Sequence, residues 1–125
     1  MNMRFLTYIF LLAAMATLVG CKKTRQQADQ AALENLFIEI QTLANSKTCQ
    51  NAEAWDFIAY GNKACGGPVG YIAYPIEIQQ EILEKVTEYT EMQKAFNDTY
   101  NVGSDCMFVS SPAGVGCKDG KPIFE

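Results

Sequence analysis

The residues of this chain whose types and spacing could do chemistry are Cys49, Cys65, Cys106 and Cys117, together with a run of acids at Glu77, Glu81, Glu84, Glu88 and Glu91. Cysteines can serve as a nucleophile, as zinc ligands or as a disulfide frame, and two carboxylates can act as acid and base. The chain has no histidine. That removes the serine and cysteine triads in their usual form and the commonest metal ligand. No two cysteines stand as a CxxC pair, so the spacing gives no zinc-site signature. In the stretch GNKACGGPVGY, residues 61–71, the lysine precedes the paired glycines. A phosphate-binding P-loop places Lys after its glycines, followed by Ser or Thr. No catalytic residue, metal ligand or cofactor site is therefore assigned, and no cofactor is expected.

Two of these features have an alternative reading. Lys63, beside Cys65, could form part of a rigid exposed segment braced by a disulfide and enter a protease cleft as an inhibitor does, since pre-organisation lowers the entropy cost of binding. It is the candidate partner contact. The glutamates, at helical spacing, read first as a solvated face. As an acid–base pair they would make the chain a carboxylate-dependent hydrolase.

These residues need a compartment, and the N-terminus supplies one. Residues 1–4 carry one positive charge, and FLTYIFLLAAMATLV, residues 5–19, carries none. This is the profile of a signal peptide. The apolar run falls short of the roughly 20 residues that a membrane-spanning helix requires. Leu18, Val19, Gly20 and Cys21 then read LVGC, which resembles the lipobox of bacterial lipoproteins. The resemblance implies removal of residues 1–20 and acylation of Cys21 as the new N-terminus, with residues 21–26 as a lipidated tether. The tether reads CKKTRQ, and its cations suit anionic head groups. The expected location is the cell envelope, with a lipid anchor in the outer membrane. The four remaining cysteines, an even number in an exported domain, read as two disulfides. Of the three pairings that four cysteines allow, the local one, Cys49 with Cys65 and Cys106 with Cys117, is expected.

All 14 acids and only six of the 10 basic residues follow Arg25, a formal charge of −8 for that part. Nucleic-acid phosphates demand a basic surface, so a nucleic-acid partner is excluded. A basic protein partner is compatible.

The elements follow from periodicity. Leu33, Leu36, Phe37, Ile40, Leu43 and Ala44 lie at helical spacing within residues 26–45, an amphipathic helix. A longer helix is expected from Pro75, with Ile78, Ile82, Val86, Tyr89, Phe96 and Tyr100 as its apolar stripe, a Glu81–Lys85 pair on its surface and Gly103 near its C-cap. WDFIAY (55–60), GYIAY (70–74) and CMFVSS (106–111) read as strands, and Asp119-Gly120 marks a hairpin. The fold class is α+β, two amphipathic helices packed on a small antiparallel sheet and braced by two disulfides. Residues 27–125 form a single domain.

KACGGP, YIAYP, SDCM and the late CKDGKP resemble a group of small uncharacterised lipoproteins of the Gram-negative envelope. The resemblance implies a shared disulfide-braced fold and brings no catalytic residues. The expected function is a non-enzymatic binding domain for a protein or glycan partner. The alternatives are an inhibitor or immunity protein against a basic hydrolase or a protease, and the carboxylate hydrolase.

Overall fold

A computed structural model describes residues 23–125 in full, and the backbone of the first helix back to Met3. The expected leader over 1–20 and the lipid-bearing Cys21 lie outside the residues described in full. The chain divides into two units, Met1–Ala32 and Leu33–Glu125. The second unit contains the core.

Helix α1 spans Met3–Ala44. Residues 23–26, expected as a tether, are thus helical, as Lys, Arg and Gln permit. Its apolar stripe falls inward as the spacing requires: Leu33, Leu36, Ile40 and Ala44 are buried, and Phe37 and Leu43 pack beside them. Helix α2 spans Gln79–Tyr100 and buries Ile82, Val86 and Tyr89 on the same core. Ile40 and Ile82 are both 0 % exposed, and burying such a side chain contributes about 1.5–3 kcal/mol.

The start and end of α2 differ from expectation. Pro75 closes strand β2 with an extended backbone, a 3-10 turn (Ile76–Ile78) follows, and the helix begins at Gln79. At the other end Asn101, not Gly103, takes the left-handed conformation, at φ 50°, and its N–H bonds the Asn97 carbonyl. Asparagine tolerates this region better than most residues. Lys85 turns from Glu81 to Glu39 of α1, at 2.8 Å, so it ties the two helices together.

Strands β1 (Trp55–Tyr60) and β2 (Gly70–Pro75) pair antiparallel with Trp55 opposite Pro75 and Tyr60 opposite Gly70. Because side chains alternate across a strand, this hairpin presents two different faces. Ile58, Tyr60, Ile72 and Tyr74 pack on the helices. On the other face Trp55 and Ala73 form a second cluster with Cys49, Val115 and Cys117. Apolar residues on both faces account for the aromatic, weakly alternating sequences of these strands.

The second hairpin, β3 (Val115–Lys118) with β4 (Lys121–Phe124), covers that second face. Its turn residues Asp119 and Gly120 stand at φ 51° and 74°, as a two-residue primed turn requires. Backbone bonds between Ala113, Gly114 and Glu125 extend the ladder. There are thus two two-stranded sheets rather than one among the described residues. The strand expected over 106–111 does not form. Cys106 is bridged to Cys65, the Met107 carbonyl accepts from Lys63, and Met107 and Phe108 both point to solvent, so neither face of the segment is buried.

The disulfide pairing is the main correction. Cys49 bonds Cys117 and Cys65 bonds Cys106, each with Cα atoms 5.4 Å apart, within the normal range. The local pairing fails because α2 carries the chain back past the 61–69 loop and sets Cys106 beside Cys65. The β3–β4 hairpin meanwhile returns to the end of α1, where the Cys49 N–H donates to the Gly120 carbonyl at 2.9 Å. Loops of 68 and 41 residues are closed, which the chain-entropy model values at about 4 kcal/mol each.

Candidate functional site

The loop between β1 and β2 is fastened along its length. The Gly61 N–H donates to Thr90 Oγ1 at 3.0 Å, the Asn62 N–H to Gln93 Oε1 at 2.7 Å, and Asn97 Nδ2 to the Asn62 carbonyl at 2.7 Å. These three partners lie along one face of α2, about a turn apart. Gly66 and Gly67, at φ 92° and 82°, turn the chain beside Cys65, where other residues are strained.

Lys63 does not project from this loop. Its side chain is 13 % exposed. Nζ donates to Asp105 Oδ1 at 2.7 Å and to the Met107 carbonyl at 2.9 Å. The Lys63 ammonium beside Asp105 holds that carboxyl below its ordinary range, through the hydrogen bond first and charge second. Lys63 therefore clamps the Cys106 segment to the loop, and a protease pocket would have to strip it of both partners. The lysine expected as a partner contact is a structural one in this geometry.

A different region has the form of a binding site. Two segments of chain meet at it: residues 47–55, which run from the polar connection after α1 (Lys47, Thr48, Gln50, Asn51) through the 3-10 turn Ala52–Ala54 to Trp55 at the start of β1, and Pro75 at the end of β2 with Ile76 and Glu77 of the 3-10 turn after it. They enclose a groove of about 440 Å³. Its floor is apolar, with Trp55 7 % and Ile76 44 % exposed. Its rim is polar, and Lys47 Nζ meets Glu77 Oε2 across it at 3.2 Å.

Each wall has a local cause. Asn51 caps the 3-10 turn by accepting from the Glu53 N–H at 3.1 Å. Trp55 is held from behind by Ala73 and the Cys49–Cys117 bridge, and Cys49 is itself 2 % exposed. The groove is therefore set by covalent and backbone constraints before anything enters it.

Beyond Glu77 the surface continues into a second, open depression of about 280 Å³ lined by Glu77, Ile78, Gln80, Glu81 and Glu84. These are three of the glutamates singled out in the sequence. All three are exposed. Glycoside hydrolysis by paired carboxyls calls for one that is desolvated. Among the described residues no cluster of His, Cys, Asp or Glu could hold a metal ion, and no helix is long and apolar enough to cross a membrane. Tyr74, buried against the helices, has its phenol pushed up by that burial and then by Asp56, whose Oδ2 accepts from it at 3.5 Å.

No family model, curated protein or solved structure matches the chain. The groove's own geometry is therefore the basis for a functional assignment. Sequence reasoning passed over its residues because the stretch 47–55 carries no chemical motif and its other wall, Pro75–Glu77, lies twenty residues further on. The available signal was the chain's one tryptophan directly after a polar stretch, SKTCQNAEAW, since buried aromatic anchors favour recognition sites.

Proposed function

We propose that the protein is a lipid-anchored envelope lipoprotein whose folded domain binds a protein or glycan partner through the Trp55 groove. The observation that carries the reading is that groove: about 440 Å³, apolar below and polar at its edge, the usual make-up and size of a recognition site. Its walls are fixed by the Cys49–Cys117 bridge, so little ordering entropy is lost on binding. Support for an envelope location comes from the LVGC box at residues 18–21 and from the two bridged cysteine pairs, which belong to oxidising compartments.

The test is a photo-crosslinking amino acid placed at Ile76 in the full chain in its native cells, with the same group at exposed Lys94 as control. A discrete adduct from position 76 and none from position 94 is the expected result. Equal adducts from both positions, or none, would contradict the groove. Membrane fractionation of a Cys21→Ser variant tests the anchor separately, and its release from the membrane fraction is expected.

A further inference from the structure

The groove and the glutamate depression share Glu77 as a wall, so they adjoin, and together they make a track that is apolar at the Trp55 end and anionic at the α2 end. From this we infer that the partner offers a basic peptide segment: an apolar anchor side chain seated against Trp55, Pro75 and Ile76, followed by lysines or arginines over Glu77, Glu81 and Glu84. The inference rests on the proposed binding role and names the chemistry of the occupant.

Charge complementarity selects this occupant. Glu77, in the 3-10 turn, and Glu81 and Glu84, in the first turns of α2, line the same depression. Among the described residues the only cation lining the track is Lys47, and its contact with Glu77 joins two exposed side chains. Such a pair is weak, so an arriving cation displaces it readily. Anionic lipid head groups would be repelled by this acid row. A neutral sugar would leave it unused.

The track also sets the spacing. With about 2 Å of rise per residue through the 3-10 turn to Ile78 and about 1.5 Å from there along α2, Ile76 and Glu84 lie about 13 Å apart. An extended peptide covers that distance in about four residues. The anchor and the last cation it needs therefore fall within about four positions of one another.

The chain's single tryptophan forms part of the floor, so its emission reports occupancy. The full chain, purified in detergent, is used to select from a random heptapeptide library, and the best peptide is titrated by Trp55 fluorescence. The expected selection is peptides with an aliphatic or aromatic residue and at least two lysines or arginines within the next four positions. Glu77→Gln then weakens binding about threefold and Lys47→Gln strengthens it by a similar factor, as an exposed charge contact would. Salt raised from about 0.05 to 0.5 M weakens it further, and Ile76→Asp abolishes it. The opposite signs of the two rim variants exclude a purely structural effect.

Enrichment of acidic or neutral peptides, or basic peptides whose affinity ignores both rim variants, would overturn the inference. If neutral peptides or glycans bind and Ile76→Asp abolishes their binding, the cationic occupant is wrong and the groove still stands as a site. If the selection is empty and position 76 also gives no crosslink, both readings fail together.

Discussion

Gly61 stands at φ 77°, and a Cβ there would come within 2.6 Å of Gln93 Oε1 and 2.8 Å of Val69 Cγ2. Gly66, at φ 92°, has open space around it. The two glycines therefore separate backbone strain from steric conflict. Gly66→Ala should cost about 1 kcal/mol, the strain alone, and Gly61→Ala about 2–4 kcal/mol, strain plus clash, read by denaturant titration. The Lys63–Asp105 contact makes a pH prediction. Asp105 is depressed in the folded protein, so its contribution is complete above the ordinary carboxyl range, near pH 4, and is lost as pH falls through the lower folded value. Asp105→Asn should lower Tm by a constant amount from about pH 5 to 8, and the gap should close below about pH 4. A gap unchanged at low pH would mean that the carboxylate's charge is not what holds the segment. The sequence placed Lys63 beside a bridge but could not tell which way it points, because its partners lie some forty residues away along the chain.

Elements whose determinants are local could be read in the sequence. The Asp119-Gly120 turn, the stripes of both helices and strands β1 and β2 needed only neighbouring residues to specify them. CMFVSS has strand-like composition, yet strand formation requires a partner backbone, and its carbonyl and cysteine are taken by the 61–69 loop. The disulfide partners depended on where α2 returns the chain, which no local rule encodes. The two bridges differ in setting. Cys65 and Cys106 are exposed, whereas Cys49 is buried. Mild reductant followed by alkylation and peptide mass mapping should label Cys65 and Cys106 well before Cys49 and Cys117, since exchange needs access for the attacking thiolate. Replacing Cys65 and Cys106 by serine should free the segment around Met107 and Phe108, which are 72 % and 88 % exposed, and cost about 4 kcal/mol. Limited proteolysis should then cut first between residues 102 and 114.

At the scale of the molecule, one two-stranded hairpin is covered by helices on one face and by a second hairpin on the other. One bridge ties the second hairpin to the segment after α1, and the other ties the segment after α2 to the 61–69 loop. Fold class was legible because amphipathic stripes and strand composition are additive along the chain. The groove was not, because it exists only where the 47–55 segment meets the end of β2 and the 3-10 turn after it. Its rigidity, and with it the proposed role, depends on the Cys49–Cys117 closure behind Trp55. The most direct test is non-reducing peptide mapping of the native protein recovered from the cell envelope. The account predicts two cross-linked species, Cys49 with Cys117 and Cys65 with Cys106, and an acylated N-terminal peptide beginning at Cys21. Free thiols at these four positions, or Cys49 joined to Cys65, would contradict it.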